Sequence, residues 1–267
     1  MEKHVIWRGI LAGALAGVLA FIWSKIFIEP IVGRAIDFED GSAAAHEAME
    51  AAAAHGHHHE EGGELFTRAV QSTVGMGLGV LAFSVALGAL FAVVFCVVYS
   101  RTSSITARTL SVLVAGAMLI SLWVVPALKY PPNPPATSLD TTIKERALFY
   151  ILMVALSALL MVAAVYLGSQ LAPRFGAWNA TLLAGAAYVV AVAIVMLVLP
   201  TVDETPGPLE DAAGTIVFPG FPAADLYEFR LFALGTQVII WTTIGLAAAA
   251  MLSRLLDTKR TEQLTAS

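Results

Sequence analysis

The sequence predicts an all-α integral membrane protein, a single transmembrane domain of residues 1–267 with about six transmembrane helices and a histidine-rich first external loop. Hydrophobic residues make up 58% of the chain and charged residues only 13%, against about 45–50% and 25% in soluble domains. The mean hydropathy is +0.78. Apolar runs of about the 20 residues that a helix needs to cross a bilayer cover residues 5–28, 69–99, 109–128, 147–171, 178–199 and 231–253.

The first run, residues 5–28, is predicted to be an uncleaved helix rather than a signal peptide. Its apolar core is too long, and no small-residue cleavage site precedes Lys25. Gly9, Gly13 and Gly17 recur at every fourth position. This spacing makes a smooth face that allows close approach of another helix. The dipeptide Glu29-Pro30 is expected to end the helix.

The loop of residues 29–68 carries the histidines that the sequence predicts as metal ligands. Imidazole nitrogens beside carboxylates suit divalent first-row metals such as Co, Ni and Zn. The candidate ligands here are His46, His55, His57, His58, His59, Glu60 and Glu61. The alternative is a solvated spacer that binds metal only adventitiously. His46 and Glu50 are four residues apart, so a helical turn would place them on one face.

A proline-rich string, LKYPPNPPA, follows the third run. Proline fixes φ and disfavours helix in the preceding residue, so residues 131–135 are predicted to form a stiff extended arm. The carbonyls of this arm and the Asn133 side chain are not used in the regular hydrogen-bond ladders of a helix or sheet. Two interpretations stay open, a rigid cap over the helix ends or a wall of a substrate entrance.

The segment between the fifth and sixth runs, residues 200–230, is acidic and is expected to bring six carboxylates to one surface. They are Asp203, Glu204, Glu210, Asp211, Asp225 and Glu228. Of these, Asp203, Glu204, Asp225 and Glu228 are candidate metal ligands held against Asn133, with Glu29 as a further member. The alternative is that these acids solvate the surface or pair with Arg34, Lys129 and Arg230.

Charge distribution predicts the orientation of the chain. Six spans place both termini on one side, and the short turns and the tail on that side are basic, which favours the cytoplasm. The loops of about residues 29–68, 129–146 and 200–230 are then external.

Composition and motifs exclude several function classes. A net charge of −5 and a pI of about 5.6 argue against nucleic acid as a partner, and no nucleotide-binding glycine motif is present. Cys96 is the only cysteine, so no thiolate pair can hold a metal. No histidine, Asp or Glu lies in mid-span, where haem ligation or a proton relay would need one. We expect no enzymatic activity and no resident cofactor.

Several strings in order along the chain carry a family resemblance: RGILAGALAGVLA, IFIEPIVGRAIDFED, LFTRAVQSTVG, LKYPPNPPA, LPTVDETP and FPAADLYEFRLFALGTQVIIW. With them the chain resembles the CbtA family of predicted cobalt transporter subunits. The resemblance implies a multi-pass protein of the bacterial inner (plasma) membrane, linked to cobalt supply for cobalamin synthesis. It also implies a small CbtB-like partner with a single span and its own histidine motif.

Two functions are consistent with these patterns. The first is a membrane subunit for uptake of a divalent metal, cobalt before nickel or zinc, with external histidines and acids capturing the ion. The alternative is a non-transporting membrane scaffold, or a subunit of a larger membrane assembly, with the loop as a docking element.

Overall fold

The computed structural model describes residues 2–52, 70–102, 105–135, 137, 142–202 and 204–265. The helices are α1 (Glu2–Trp23), α2 (Glu29–Ala52), α3 (Met76–Tyr99), α4 (Ala107–Leu119), α5 (Val125–Lys129), α6 (Ile143–Val198) and α7 (Ala223–Thr265). Three π-helical turns, Ser24–Ile28, Gln71–Gly75 and Ile120–Val124, adjoin α1, α3 and α4. Two short strands, β1 (Leu209–Glu210) and β2 (Ile216–Phe218), pair antiparallel.

Five helical stretches of the described residues are long and apolar enough to cross a membrane. They are Glu2–Ala51, Ser72–Tyr99, Ala107–Lys129, Ile143–Val198 and Ala223–Leu256. This confirms the prediction of an all-α protein with several membrane-spanning helices. The count differs from the six predicted runs because one stretch, α6, contains two of them.

Helix α6 is a hairpin of two helical arms. Gly176 has φ 75° and ψ 159°, a conformation that interrupts the helix three residues after Pro173. Glycine adopts positive φ without the steric cost that a side chain would bring. The arms then lie side by side, since the Ser157 and Tyr188 hydroxyls are 2.8 Å apart. The predicted runs 147–171 and 178–199 fall on separate arms.

The prediction that Glu29-Pro30 ends the first helix is wrong. Proline lacks an N–H and its ring displaces the carbonyl four residues earlier, so a helix passes through it only with a local change. Here the change is the π-helical turn Ser24–Ile28, closed by the Glu29 N–H on the Ser24 carbonyl. Residues 29–52, predicted as loop, are therefore the helix α2, and His46 lies on it.

The last helix is longer than the predicted run 231–253, because hydropathy marks only the apolar part of a helix. It begins at Ala223, immediately after Pro222, and the Leu226 N–H reaches the Pro222 carbonyl. Asp225 in the first turn suits the positive end of the helix dipole.

Helix α1 packs against α3 through glycines, as the four-residue spacing predicted. A Cβ built on Gly88 would lie 2.2 Å from the Gly9 carbonyl oxygen, and one on Gly13 would lie 2.4 Å from the Ser84 carbonyl oxygen. The two backbones are thus in direct contact. Around this contact, the buried core draws on α1, α3, α4 and α7, with Phe91, Phe95, Ile240, Trp241, Ile244 and Leu252 among its largest side chains.

We expect Gly88→Ala to destabilise the α1–α3 packing, because its new methyl group would meet the Gly9 backbone. Overpacking of this kind costs about 1–3 kcal/mol. Gly79→Ala on the same helix is the matched control, since nothing lies within 4 Å of its Cβ position. Thermal unfolding of the purified protein in detergent should give a lower midpoint for Gly88→Ala alone. Equal midpoints would contradict the close backbone contact.

Candidate functional site

The proline-rich arm of residues 131–135 closes one end of the helical bundle. We call this end of the bundle the arm end. Helix α5 stops at Lys129 because Tyr130 leaves helical geometry with φ −125° and ψ 78°. The Tyr130 side chain is 2% exposed, and its hydroxyl donates to the Pro200 carbonyl at 2.7 Å. Burial raises the pKa of the Tyr130 phenol above its ordinary value. This shift adds to the ordinary preference of a phenol for its protonated form at neutral pH. The bond joins the arm to the end of α6.

Two arginines satisfy the carbonyls of the arm. Arg146 of α6 donates to the Pro131 carbonyl. Arg230 of α7 donates from Nε to the Pro132 carbonyl at 3.3 Å and from Nη2 to Asn133 Oδ1 at 2.9 Å. A guanidinium has five N–H donors in a fixed fork, so one side chain can serve several acceptors. The arm is therefore clamped between α6 and α7, a geometry that favours a rigid cap.

Glu204 lies beneath this clamp, not on the surface where the sequence placed it. The residue is 2% exposed. Its Oε2 lies 2.5 Å from Arg146 Nη1, and its Oε1 accepts from the Thr142 hydroxyl at 3.4 Å. A carboxylate that leaves water needs such a partner to remain charged. Arg146 thus binds both the arm and the acidic segment.

Asp225 and Glu228 share another arginine. Arg34 of α2 places Nε 2.7 Å from Asp225 Oδ1 and Nη2 2.9 Å from Glu228 Oε2. These two acids thus pair with Arg34, which is one part of the alternative given by the sequence. The pairs are accessible, because the Arg34 side chain is 44% exposed. Beside the start of α7, the Glu228 side chain is 50% exposed and that of Asp225 is 18% exposed.

Aromatic packing holds α2 in place for these ion pairs. The Phe38 ring lies 5.3 Å from that of Phe218 on β2 and 5.1 Å from that of Phe221, between ring centroids. Centroid distances of 4.5–7 Å are typical of favourable aromatic contacts. The strand hairpin therefore fixes the part of α2 that carries Arg34.

The remaining predicted ligands do not join this cluster within the described residues. His46 is exposed on α2, while His55, His57, His58, His59, Glu60, Glu61 and Asp203 lie outside the described residues. Among the residues that are described, no group of three or more His, Cys, Asp or Glu side chains is placed to hold a metal ion. Asp211 accepts from the backbone N–H groups of Ala213 and Thr215, so it shapes the turn between the strands.

Sequence reasoning missed Arg146, Thr142 and Tyr130. One signal was available for Arg146. Four prolines in five residues leave carbonyls without ladder partners, and carbonyls that become buried need donors. Arg146 is the first arginine after the arm. The choice between it and Lys144 depends on which face of α6 meets the arm, which the sequence does not state.

Loss of the Arg146 side chain is expected to destabilise the arm end by about 3–5 kcal/mol, because it leaves the Glu204 carboxylate buried without a partner. Lys144→Ala is the matched control, since Lys144 is exposed on the same helical turn and surface changes stay within about 0.5 kcal/mol. Chemical unfolding of the detergent-solubilised protein measures both. An Arg146→Ala protein as stable as Lys144→Ala would contradict the burial of this pair.

Comparison with family models identifies the relatives of the chain. The family described as "Probable cobalt transporter subunit (CbtA)" matches residues 2–253 of the 267. Comparison with curated proteins finds no match, and comparison with solved structures finds none. The match includes the first six helices, α7 as far as residue 253, and both groups of ion pairs. The chain is therefore a multi-pass membrane protein that belongs to the CbtA family, the family with this description.

Proposed function

We propose that this protein is the membrane subunit of an uptake system for divalent metal, with cobalt as the first candidate cargo and nickel or zinc as alternatives. The family match over nearly the whole chain carries the proposal. The metal is cargo in this proposal. No catalytic residue and no resident cofactor is assigned.

Capture is the first step, and we assign it to the histidine tract with its acids. Helix α2 presents His46 and Glu50 as exposed side chains one turn apart and leads directly into the tract. Imidazole and carboxylate groups together are ligands that Co, Ni and Zn accept. Such a tract imposes little geometry, so its affinities follow the general order in which Cu²⁺ and Zn²⁺ exceed Co²⁺. Selectivity for cobalt must then arise elsewhere.

We place the selective step at Asp225 and Glu228. Their two carboxylates converge on one guanidinium, that of Arg34, and a divalent cation competes for the same oxygens. Exposed ion pairs contribute only about 0–1 kcal/mol to stability, so displacement of the guanidinium costs little free energy. Glu204 differs, because its partner Arg146 is also bound to the arm. It can join Asp203 in a metal path only if that clamp opens.

The family description as a subunit implies a partner component. We propose a small CbtB-like membrane protein with a single span in that role. We further propose the bacterial inner membrane as the location, with both termini in the cytoplasm. The arm end then faces outward, and captured metal moves inward.

One observation favours the second candidate function, a non-transporting scaffold. Three of the candidate acids that the structure describes, Glu204, Asp225 and Glu228, are each bound to an arginine. Ion pairs of this kind are also the usual means of holding loops together. In that case Arg34 and Arg146 serve the architecture of the arm end alone, and the histidine tract docks a partner.

Metal uptake into cells that express the chain with its partner tests the proposal. Asp225→Asn should lower maximal uptake or alter the preference among Co, Ni and Zn, because a carboxamide is a weaker ligand than a carboxylate. Replacing His55, His57, His58 and His59 with Ala should lower uptake only at scarce metal and leave the preference unchanged. Glu210→Gln is the control, an exposed acid of the same segment.

Two results would contradict this division of roles. Uptake that is unaffected by deletion of the whole chain would support the scaffold. A changed metal preference in the histidine variant, with wild-type behaviour of Asp225→Asn, would place selectivity in the tract.

The proposed orientation has its own test. In a Cys96→Ala background, His57→Cys should react with a membrane-impermeant maleimide in intact spheroplasts, because the tract faces outward. A cysteine at Ser267 in the same background is the control and should react only after lysis. The reverse pattern would invert the orientation and the direction of transport.

A further inference from the structure

A basic cavity lies at the opposite end of the bundle, between the first turns of α1 and residues 250–254 of α7. Its volume is about 510 Å³. The lining residues are His4, Trp7, Arg8, Leu11, Ala250, Met251 and Arg254. We propose that this cavity binds the headgroup phosphate of an anionic phospholipid. The proposal is independent of metal transport, since it uses none of the residues of the arm end.

The polar lining is suited to a phosphate. Arg8, Arg254 and His4 supply N–H donors, and no carboxylate is among the side chains that line the cavity in the described part of the chain. Arg8 donates one N–H to the Met251 carbonyl, which fixes its guanidinium against α7. That bond uses one of five donors, and a guanidinium binds phosphate oxygens in a bidentate manner.

The apolar lining points to a lipid rather than a soluble phosphate. Trp7 is 61% exposed and Leu11 is 45% exposed, although both line the cavity. Leu11 lies one helical turn from Trp7, toward the centre of the membrane-crossing part of α1. A phosphate held by Arg8 and Arg254 would therefore have its acyl chains beside Leu11. Tryptophan is enriched at the membrane interface, and basic pockets between transmembrane helices are typical sites for anionic headgroups.

A bound lipid of this kind would connect the first helix to the last. Arg8 and Met251 already form a polar contact across α1 and α7. A phosphate between Arg8 and Arg254 would add a second connection at the same level. We therefore expect anionic lipid to stabilise the whole bundle, in addition to binding it.

Native mass spectrometry and thermal unfolding of the full chain in detergent test the proposal. Added phosphatidylglycerol should bind and raise the unfolding midpoint more than phosphatidylcholine does. Arg254→Gln should weaken phosphatidylglycerol binding about fivefold, the effect of losing one basic side chain. Arg174→Gln is the control, an exposed arginine beside the Gly176 turn that does not line the cavity, and it should bind as the wild type.

Folding and the source of the phosphate are controlled separately. Each variant's lipid-induced shift is measured from its own unfolding midpoint without added lipid, which separates lipid binding from any effect of the substitution on folding. Arg8→Gln is less suitable for this test, because it loses the bond to Met251. Inorganic phosphate or glycerol 3-phosphate at the same concentration should leave the midpoint unchanged. Equal stabilisation by these soluble phosphates, or an unchanged lipid preference in Arg254→Gln, would overturn the proposal.

Discussion

The arm end depends on one side chain, that of Arg146. Its guanidinium meets the Glu204 carboxylate on one side and the Pro131 carbonyl on the other. Both acceptors depend on this donor. Glu204 is buried, and the prolines next to Pro131 have no N–H to donate to its carbonyl. The arm, the start of α6 and the acidic segment are therefore fixed as a unit. Arg230 of α7 and Tyr130, just after α5, add to this unit. Among the residues that the structure describes, Arg146 is the side chain that donates to both the arm and the buried acid.

The two ion-pair groups have different surroundings. The Glu204 pair is shielded from solvent, so exchange of its guanidinium for a metal ion would expose a charge to a medium of low polarity. The Arg34 pairs are more open to solvent, because their side chains are 18–50% exposed. The same residue types thus form a buried pair in one place and accessible pairs in the other. Burial separates the two cases, and charge alone does not.

Local patterns in the sequence predicted the membrane class, the glycine contact and the stiffness of the arm. Each depends on neighbours within a few residues, such as Gly9 and Gly13 on one face or the prolines that surround Asn133. The ion pairs were harder to predict from the sequence. Glu204 and Arg146 are 58 positions apart, and their meeting depends on how α6 and the acidic segment pack. The continuation of the helix past Pro30 was missed because a π-helical turn has no residue signature comparable to that of a cap. The pairing of Asp225 and Glu228 with Arg34 was foreseen only as an alternative to metal ligation.

The continuation of α2 beyond Pro30 separates the end of this helix from Asp225 and Glu228 in an electrostatic sense. Arg34, which holds Asp225 and Glu228, is 18 residues before Ala52, the last residue of α2. At 1.5 Å per residue this is roughly 27 Å along the helix axis. The Debye length at physiological ionic strength is about 8 Å, so ions screen the field of the two carboxylates well before the point where the tract begins. A cation at the end of α2 is therefore beyond the reach of their field. In the proposed uptake function, capture by the tract and arrival at Asp225 are two separate encounters, each with its own rate.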